Sequence, residues 1–293
     1  MQDEYECFVF IPDYHALISV QNQEQLANDI IQTTIDLLAV GIDPDKTVLY
    51  KQSDLPHHTE LTWIFNCLVT MPQLMRGHAF KDSEAKSREV SVGLFDYPVL
   101  QAADIVLYDA DVVPVGEDQV QHIEMAREIA RKFNNTFGST FKEPQALIRK
   151  EVGTIVGSDG QKMSKSYGNT LPLFASEDET MEFIKKIPMD SKAIDEMKNP
   201  DEYALYKIAE PFMTSQENKE LRAKFENGGV GYRSVKEEVY TIINDYLRPI
   251  RENREKHIDY ESARRVLKAG AEKARLISEP KINDVRYKIG LVP

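Results

Sequence analysis

Between Lys162 and Ser166 the chain reads Lys-Met-Ser-Lys-Ser, with Asp159-Gly160 just ahead and Tyr167-Gly168-Asn169 just behind. Two ammonium groups and two hydroxyls on a glycine-flanked loop suit the neutralisation of a polyphosphate. A bare pair of lysines would read as a solvated basic loop, but the full five-residue string is far rarer. A second cationic patch, Arg76-Gly77-His78-Ala79-Phe80-Lys81-Asp82, could bring Lys81 to the same phosphates or could simply be a solvated helix end.

Three further groups of residues could carry chemistry. Val113-Pro114-Val115-Gly116-Glu117-Asp118-Gln119 sits where an apolar segment hands over to a helix, which in a doubly wound sheet is the ligand-facing edge. Gly116 there permits close backbone approach and Asp118 could accept from ribose hydroxyls; alone, the same residues also make an ordinary helix N-cap. Tyr97, Gln101 and Asp104 fall at i, i+4 and i+7 of a helix expected to start at Pro98, so they share one face. A buried carboxylate at Asp104 needs a donor, and either a ligand N–H or a nearby backbone amide would serve. Asp13-Tyr14-His15-Ala16 follows directly on the first strand, although a lone histidine is more often structural than functional.

The elements that must position these residues alternate. A continuous apolar run, Glu6–Ile11, reads as a parallel strand covered on both faces. A helix is expected over Glu24–Val40 with Gly41 as its stop, then a strand at Thr47–Tyr50 and a helix over Thr59–Leu74. Short apolar segments at Asp104–Tyr108 and Val112–Val115 precede a helix from Asp118 to Phe133. Such alternation predicts an α/β parallel sheet. Beyond Glu177 helical patterns dominate: Thr180–Ile187, Asp201–Met213, Glu217–Glu226, Val235–Lys256 and Tyr260–Ser278. The expected division is residues 1–173 as the sheet domain and 174–293 as a helical bundle, its last helix a candidate to pack back on the first domain.

Composition narrows the class. The 293 residues are 42% hydrophobic and 29% charged, an ordinary globular balance with room for two domains. No apolar run approaches a membrane span, and Gln2-Asp3-Glu4 is acidic where a secretory leader would be basic, so a cytoplasmic protein is expected. Cys7 and Cys67 stand alone, which argues for buried thiols and against a structural zinc or iron–sulfur site; no metal ligands are assigned. The net charge of −12 is uneven: Arg233–Pro293 carries 14 Lys+Arg against 10 Asp+Glu, and the remainder 22 against 38. A basic tail on an acidic body permits local contact with a polyanion, as a solvated helix surface would too.

Taken together with their order and spacing, Asp13–Ala16, Arg76–Asp82, Tyr97–Asp104, Val113–Asn134 and Lys162–Ser166 resemble the bacterial-type tryptophanyl-tRNA synthetases, class I enzymes with a KMSKS loop. Gly231-Tyr232, Leu247-Arg248-Pro249-Ile250 and Ala271-Glu272-Lys273-Ala274 extend the likeness over nearly the whole chain. The resemblance implies a Rossmann-like catalytic domain followed by an α-helical tRNA anticodon-binding domain, with Arg248, Arg251 and Arg254 candidate contacts by charge alone. It implies a cytoplasmic homodimer that activates L-tryptophan with ATP and Mg2+ to tryptophanyl-adenylate and passes the acyl group to tRNA(Trp). Asp104 would accept the indole N–H, Tyr97, Gln101, Val113 and Val115 would line the indole pocket, and His15 and Gln119 would lie near the amino acid. Gly116, Asp118 and Gln119 would meet adenosine. Ile155, Val156 and Met163 would offer backbone to adenine, with Ser164 beside them. Lys162 and Lys165 would hold the pyrophosphate, supported by Lys81.

Two departures bear on that expectation. Gln101 stands where many members carry methionine, and glutamine there also occurs in the related tyrosyl enzymes. The family also begins with a strand and a HIGH-type phosphate-binding turn upstream of the segment that starts here at Glu6. The chain as given is therefore expected to be incomplete at its N-terminus and its activity as it stands is open. The alternatives are a tyrosyl-tRNA synthetase or a non-catalytic synthetase-like paralogue that binds tRNA or tryptophan.

Overall fold

The computed structural model describes residues 1–76, 90–148, 156–164, 167–257 and 259–292. They form two compact units, Met1–Arg149 with Ile258–Pro293, and Lys150–His257. The chain thus leaves the first unit once and returns to it; the sequence suggested one boundary at 173/174, with the last helix a candidate to pack back on the first domain.

In the first unit β1 (Cys7–Ile11) pairs in parallel with β2 (Thr47–Lys51), in register from Cys7 opposite Thr47 to Ile11 opposite Lys51. Between them run the short α1 (Asp13–Ala16) and α2 (Gln23–Ala39), the latter capped by the Asn22 side chain, which accepts from the Gln25 N–H at 2.9 Å. After β2 come α3 (His57–Asn66), α4 (Met71–Leu74) and α5 (Val92–Val106). A second parallel pair follows: β3 (Val112–Pro114), then α6 (Val120–Phe137), then β4 (Gln145–Leu147). Both pairs are strand–helix–strand units, the α/β arrangement that the alternation in the sequence implied.

Two proline effects shift the expected helices. The stretch expected as one helix over Thr59–Leu74 is broken after Asn66: Thr70 is extended and stands at the N-cap of a new helix, α4, in whose first turn Pro72 sits, where its missing N–H would have no partner anyway. Pro98 does not start a helix. Ser91 does, its Oγ accepting from the Leu94 N–H at 3.1 Å, and Pro98 lies inside α5 at the cost of one backbone hydrogen bond.

The core of this unit has a centre between α3, α5 and α6, where Phe65, Phe133 and Phe141 meet edge-on with centroids 4.9 to 6.2 Å apart. In the second unit α7 (Glu177–Lys186), α8 (Ala204–Ala209), α9 (Ser215–Asn227) and α10 (Tyr232–His257) close on Ile184, Tyr206, Phe225, Val239 and Ile243. Capping boxes at Ser176/Glu179 and Thr214/Glu217 start α7 and α9. Tyr203 and Tyr232 both donate to the Asp190 carboxylate, and buried Lys198 donates to the carbonyls of Ala193 and Glu196 at 2.8 and 2.9 Å, tying the loop before α8.

The chain then re-enters the first unit as α11 (Tyr260–Lys288), which lies along β2. Gly270 makes that possible: a Cβ there would stand 1.8 Å from the Leu49 carbonyl oxygen. The helix packs Leu267 with Leu49 and Ile31, and Ala271 and Ala274 with Tyr50 and Leu55. A strand whose edge would otherwise be open is covered.

Candidate active site

The carboxyl ends of β1 and β2 are stitched together. The Asp13 carboxylate, just past β1, accepts the Ser53 N–H at 2.9 Å and the Ser53 hydroxyl at 2.5 Å. Gln52 accepts the Tyr14 N–H on its amide oxygen at 3.2 Å, which turns its NH2 toward α5. There it donates to Asp104 Oδ1 at 2.7 Å.

Asp104 is 3% exposed and receives donors from three elements. His58 on α3 reaches Oδ1 through Nδ1 at 2.7 Å, and His15 on α1 reaches Oδ2 through Nε2 at 2.9 Å. Burial pushes the Asp104 carboxyl up in pKa, but the hydrogen bonds donated by His15 and His58 outweigh it and hold it below the ordinary value. An ionised carboxylate accepts only, so both imidazole nitrogens facing it carry hydrogen. The other side of His58 meets the Tyr108 hydroxyl, 3.0 Å from Nε2. Burial raises the pKa of Tyr50 and Tyr108 well above that of a free phenol, so both remain neutral donors.

Along α5 from Asp104, Gln101 and Tyr97 are half-buried. The Tyr97 hydroxyl and His122 Nε2 are 2.9 Å apart, and the Tyr97 ring stands edge-on to His15 at 6.1 Å. The three α5 residues, His15 and the ends of β1 and β2 thus form a wall of aromatic and polar groups around one buried anion. At the end of β3, Val113 and Val115 are half-buried, while Gly116 and Asp118 are exposed. Gln119 Nε2 donates to Asp118 Oδ2 at 3.1 Å, and a Cβ on Gly116 would lie 2.7 Å from Asp118 Oδ1.

The lysine-rich loop belongs to the second unit and is organised by Asn169, 2% exposed. Its Oδ1 accepts the Ser164 N–H at 2.8 Å, and its NH2 donates to Asp159 at 2.8 Å and to the Lys162 carbonyl at 3.2 Å. Gly157 packs so closely on Asn169 that a Cβ would lie 2.4 Å from its side chain. Val156 and Met163 anchor the loop on the helical core, and Val156 and Lys162 form a bridge. Lys162 is exposed. Lys81, Ile155 and Lys165 lie outside the described residues.

Sequence reasoning missed Gln52, His58, Tyr108 and Asn169. Gln52 immediately follows β2, so the rule that ligands gather at strand carboxyl ends would have flagged it. His58 and Tyr108 carry no such local signal. Among the described residues no group of three or more His, Cys, Asp or Glu is disposed to hold a metal ion.

The family described as tRNA synthetases class I (W and Y) matches residues 1–248, and the chain belongs to that family. Among its relatives, the tryptophan–tRNA ligase of Fusobacterium nucleatum is 44% identical across 100% of this chain and 90% of its own length. The one from Campylobacter jejuni is 41% identical over 99% of this chain and 91% of its own. A crystal structure of the Campylobacter jejuni tryptophanyl-tRNA synthetase, complexed with ADP and tryptophan, superposes with a TM-score of 0.90 at 41% identity, covering 99% of this chain and 91% of that one. The Mycoplasma pneumoniae enzyme follows at a TM-score of 0.83 and 26% identity. The fold is accordingly a Rossmann-like α/β catalytic domain with a helical domain.

Proposed function

We propose that this chain is a tryptophan–tRNA ligase: it joins tryptophan to ATP, releases pyrophosphate, and passes the activated acyl group to tRNA(Trp). The observation that carries the reading is the buried, ionised Asp104 at the base of an aromatic wall. A carboxylate so placed is a matched acceptor for a ring N–H, and a site built around a hydrogen bond rejects rings that lack the donor. Identity above 40% with tryptophan–tRNA ligases over the full chain supports the same substrate.

In this reading Tyr97, Gln101, Val113 and Val115 flank the indole, and His15 and Gln119 lie beside the amino acid. A tryptophan carboxylate oxygen attacks the α-phosphorus of Mg-ATP; the bond to the β-phosphate oxygen breaks and pyrophosphate leaves. A hydroxyl of the terminal tRNA ribose then attacks the acyl carbon and AMP leaves. No protein nucleophile is needed, because positioning and charge neutralisation carry phosphoryl chemistry of this kind. Gly116, Asp118 and Gln119 hold adenosine, with backbone of Ile155, Val156 and Met163 and the Ser164 side chain. Lys162 and Lys165, aided by Lys81, meet the departing pyrophosphate, and Mg2+ enters with the triphosphate as part of the substrate.

The helical unit takes the anticodon end of the tRNA. Its three candidate arginines are engaged: Arg248 with Asp245 at 2.7 Å, Arg251 with Asn244 at 2.7 Å, and Arg254 over the Phe174 ring at 4.8 Å. Any RNA contact they make is therefore in competition with these partners. Two copies work as a homodimer in the cytoplasm; among the described residues no helix is long and apolar enough to cross a membrane. The test is ATP–pyrophosphate exchange driven by tryptophan or by tyrosine. Exchange with tryptophan at least about a hundredfold above tyrosine is expected; exchange with tyrosine in preference to tryptophan overturns the reading.

A further inference from the structure

We infer that His58, which touches no substrate in the proposed reaction, is the positioning residue that leaves Asp104 Oδ2 as the one oxygen open to a ligand. The inference rests on the tryptophan reading for its ligand and on the hydrogen-bond geometry for its mechanism.

A carboxylate offers about four acceptor sites, two on each oxygen. On Oδ1 both are taken, by Gln52 Nε2 and His58 Nδ1, each at 2.7 Å. Oδ2 has one taken, by His15 Nε2 at 2.9 Å. The vacant acceptor is therefore on Oδ2, the oxygen on the side of His15. His15 keeps 19% of its side chain exposed, whereas His58 keeps none, so His15 marks the open side and His58 the closed one.

What fixes His58 lies behind it. Its Nε2 faces the Tyr108 hydroxyl at 3.0 Å and, more distantly, the Tyr50 hydroxyl at 3.5 Å. A neutral phenol donating to Nε2 assigns the ring hydrogen to Nδ1, and that hydrogen is the one given to Asp104. The neighbouring His57 is tied separately to α11, its Nδ1 lying 2.9 Å from Ser278 Oγ. The titratable groups around the carboxylate are thus His15 on α1, Tyr50 on β2, His58 on α3 and Tyr108 after α5. Without His58, Oδ1 would regain a free acceptor, the carboxylate could turn, and the buried anion would lose one of its three donors.

Replacement chemistry separates this role from simple packing. The amide nitrogen of asparagine falls where Nδ1 stands, while that of glutamine falls where Nε2 stands. His58→Asn keeps the donor to Asp104; His58→Gln and His58→Leu remove it. Titration calorimetry with tryptophan from about pH 3 to 8 is expected to give a Kd within about threefold of wild type for His58→Asn. For His58→Gln and His58→Leu it should be weaker by roughly tenfold or more, with the acid limb of the log Kd profile moved to higher pH. Equal losses in the asparagine and glutamine variants, or an unchanged Kd in the leucine variant, overturn the inference.

A second readout needs no ligand. The Asp104 carboxyl, assigned by its loss in Asp104→Asn, is titrated by infrared or carbon NMR in each variant. Its pKa should rise in His58→Gln and His58→Leu and stay in place in His58→Asn; the same value in all three overturns the positioning role. Should wild type bind no tryptophan, the proposed substrate fails, while this titration still decides the part played by His58.

Discussion

At the scale of single residues, the buried anion and the exposed cation have separable duties. Asp104→Ala leaves the donors of Gln52, His58 and His15 without their acceptor. Tryptophan affinity should fall by about 1–3 kcal/mol, roughly 5- to 150-fold in Kd by calorimetry; an unchanged Kd would remove Asp104 from the proposed indole site. Lys162→Ala should leave that Kd alone and slow pyrophosphate exchange strongly, because charge develops on the leaving group only in the transition state. Parallel losses in both measurements would contradict a leaving-group role. Helical spacing put Asp104 and Tyr97 on one face in advance, whereas His15, a lone histidine after a strand, had no signal of its own, and the fold brings it to Asp104. His58 had none either, since its partner is 46 residues away and only the packing of α3 on α5 brings the two together.

Elements fail or hold for reasons that a sequence pattern captures unevenly. Apolar runs located β1, β2 and β3, but Pro98 misled because a proline inside a helix and one at its start look alike until Ser91 is recognised as the cap. Gly270 is the opposite case: nothing in its neighbourhood announces that a backbone carbonyl lies against it. Gly270→Ala must push α11 off β2, and overpacking of this kind costs about 1–3 kcal/mol or more, so the melting temperature should drop by at least about 3 °C. A variant as stable as wild type would show that the helix slides freely. In the second unit the Asp190 carboxyl is held at about 2 from its ordinary 3.8; burial raises it, and the donated bonds of Tyr203 and Tyr232 lower it by more. A depressed pKa stabilises the fold above the unfolded value and loses that contribution as pH falls through the folded one. Asp190→Asn should accordingly melt lower than wild type at pH 7, with the gap closing between about pH 4 and pH 2. A gap that stays constant down to pH 2 would mean that the carboxylate charge contributes nothing.

For the molecule as a whole, the decisive feature is that the first unit is discontinuous. A boundary at 173/174 seemed natural from the change in hydrophobic period, yet period reports local structure only. Membership of a unit depends on contacts made across more than 200 residues, such as His57 with Ser278 and Glu60 with Arg286. The helical unit, Lys150–His257, is therefore an insertion in a chain whose two ends build one sheet domain. This makes α11 a structural member of the proposed tryptophan site: it covers β2, closes the core at Tyr50, and holds α3 through Ser278. Ending the chain after His257 would bare Ala271's and Leu267's contact surface on β2 and leave His57 without its partner. Such a protein is expected to bind a hydrophobic dye strongly and to lose tryptophan binding, while the helical unit keeps its own cooperative melting transition by circular dichroism. If it bound tryptophan as the full chain does, the order of folding would be reversed, with β1, β2 and α3 sufficient to set the carboxylate and α11 merely lying on a site already made.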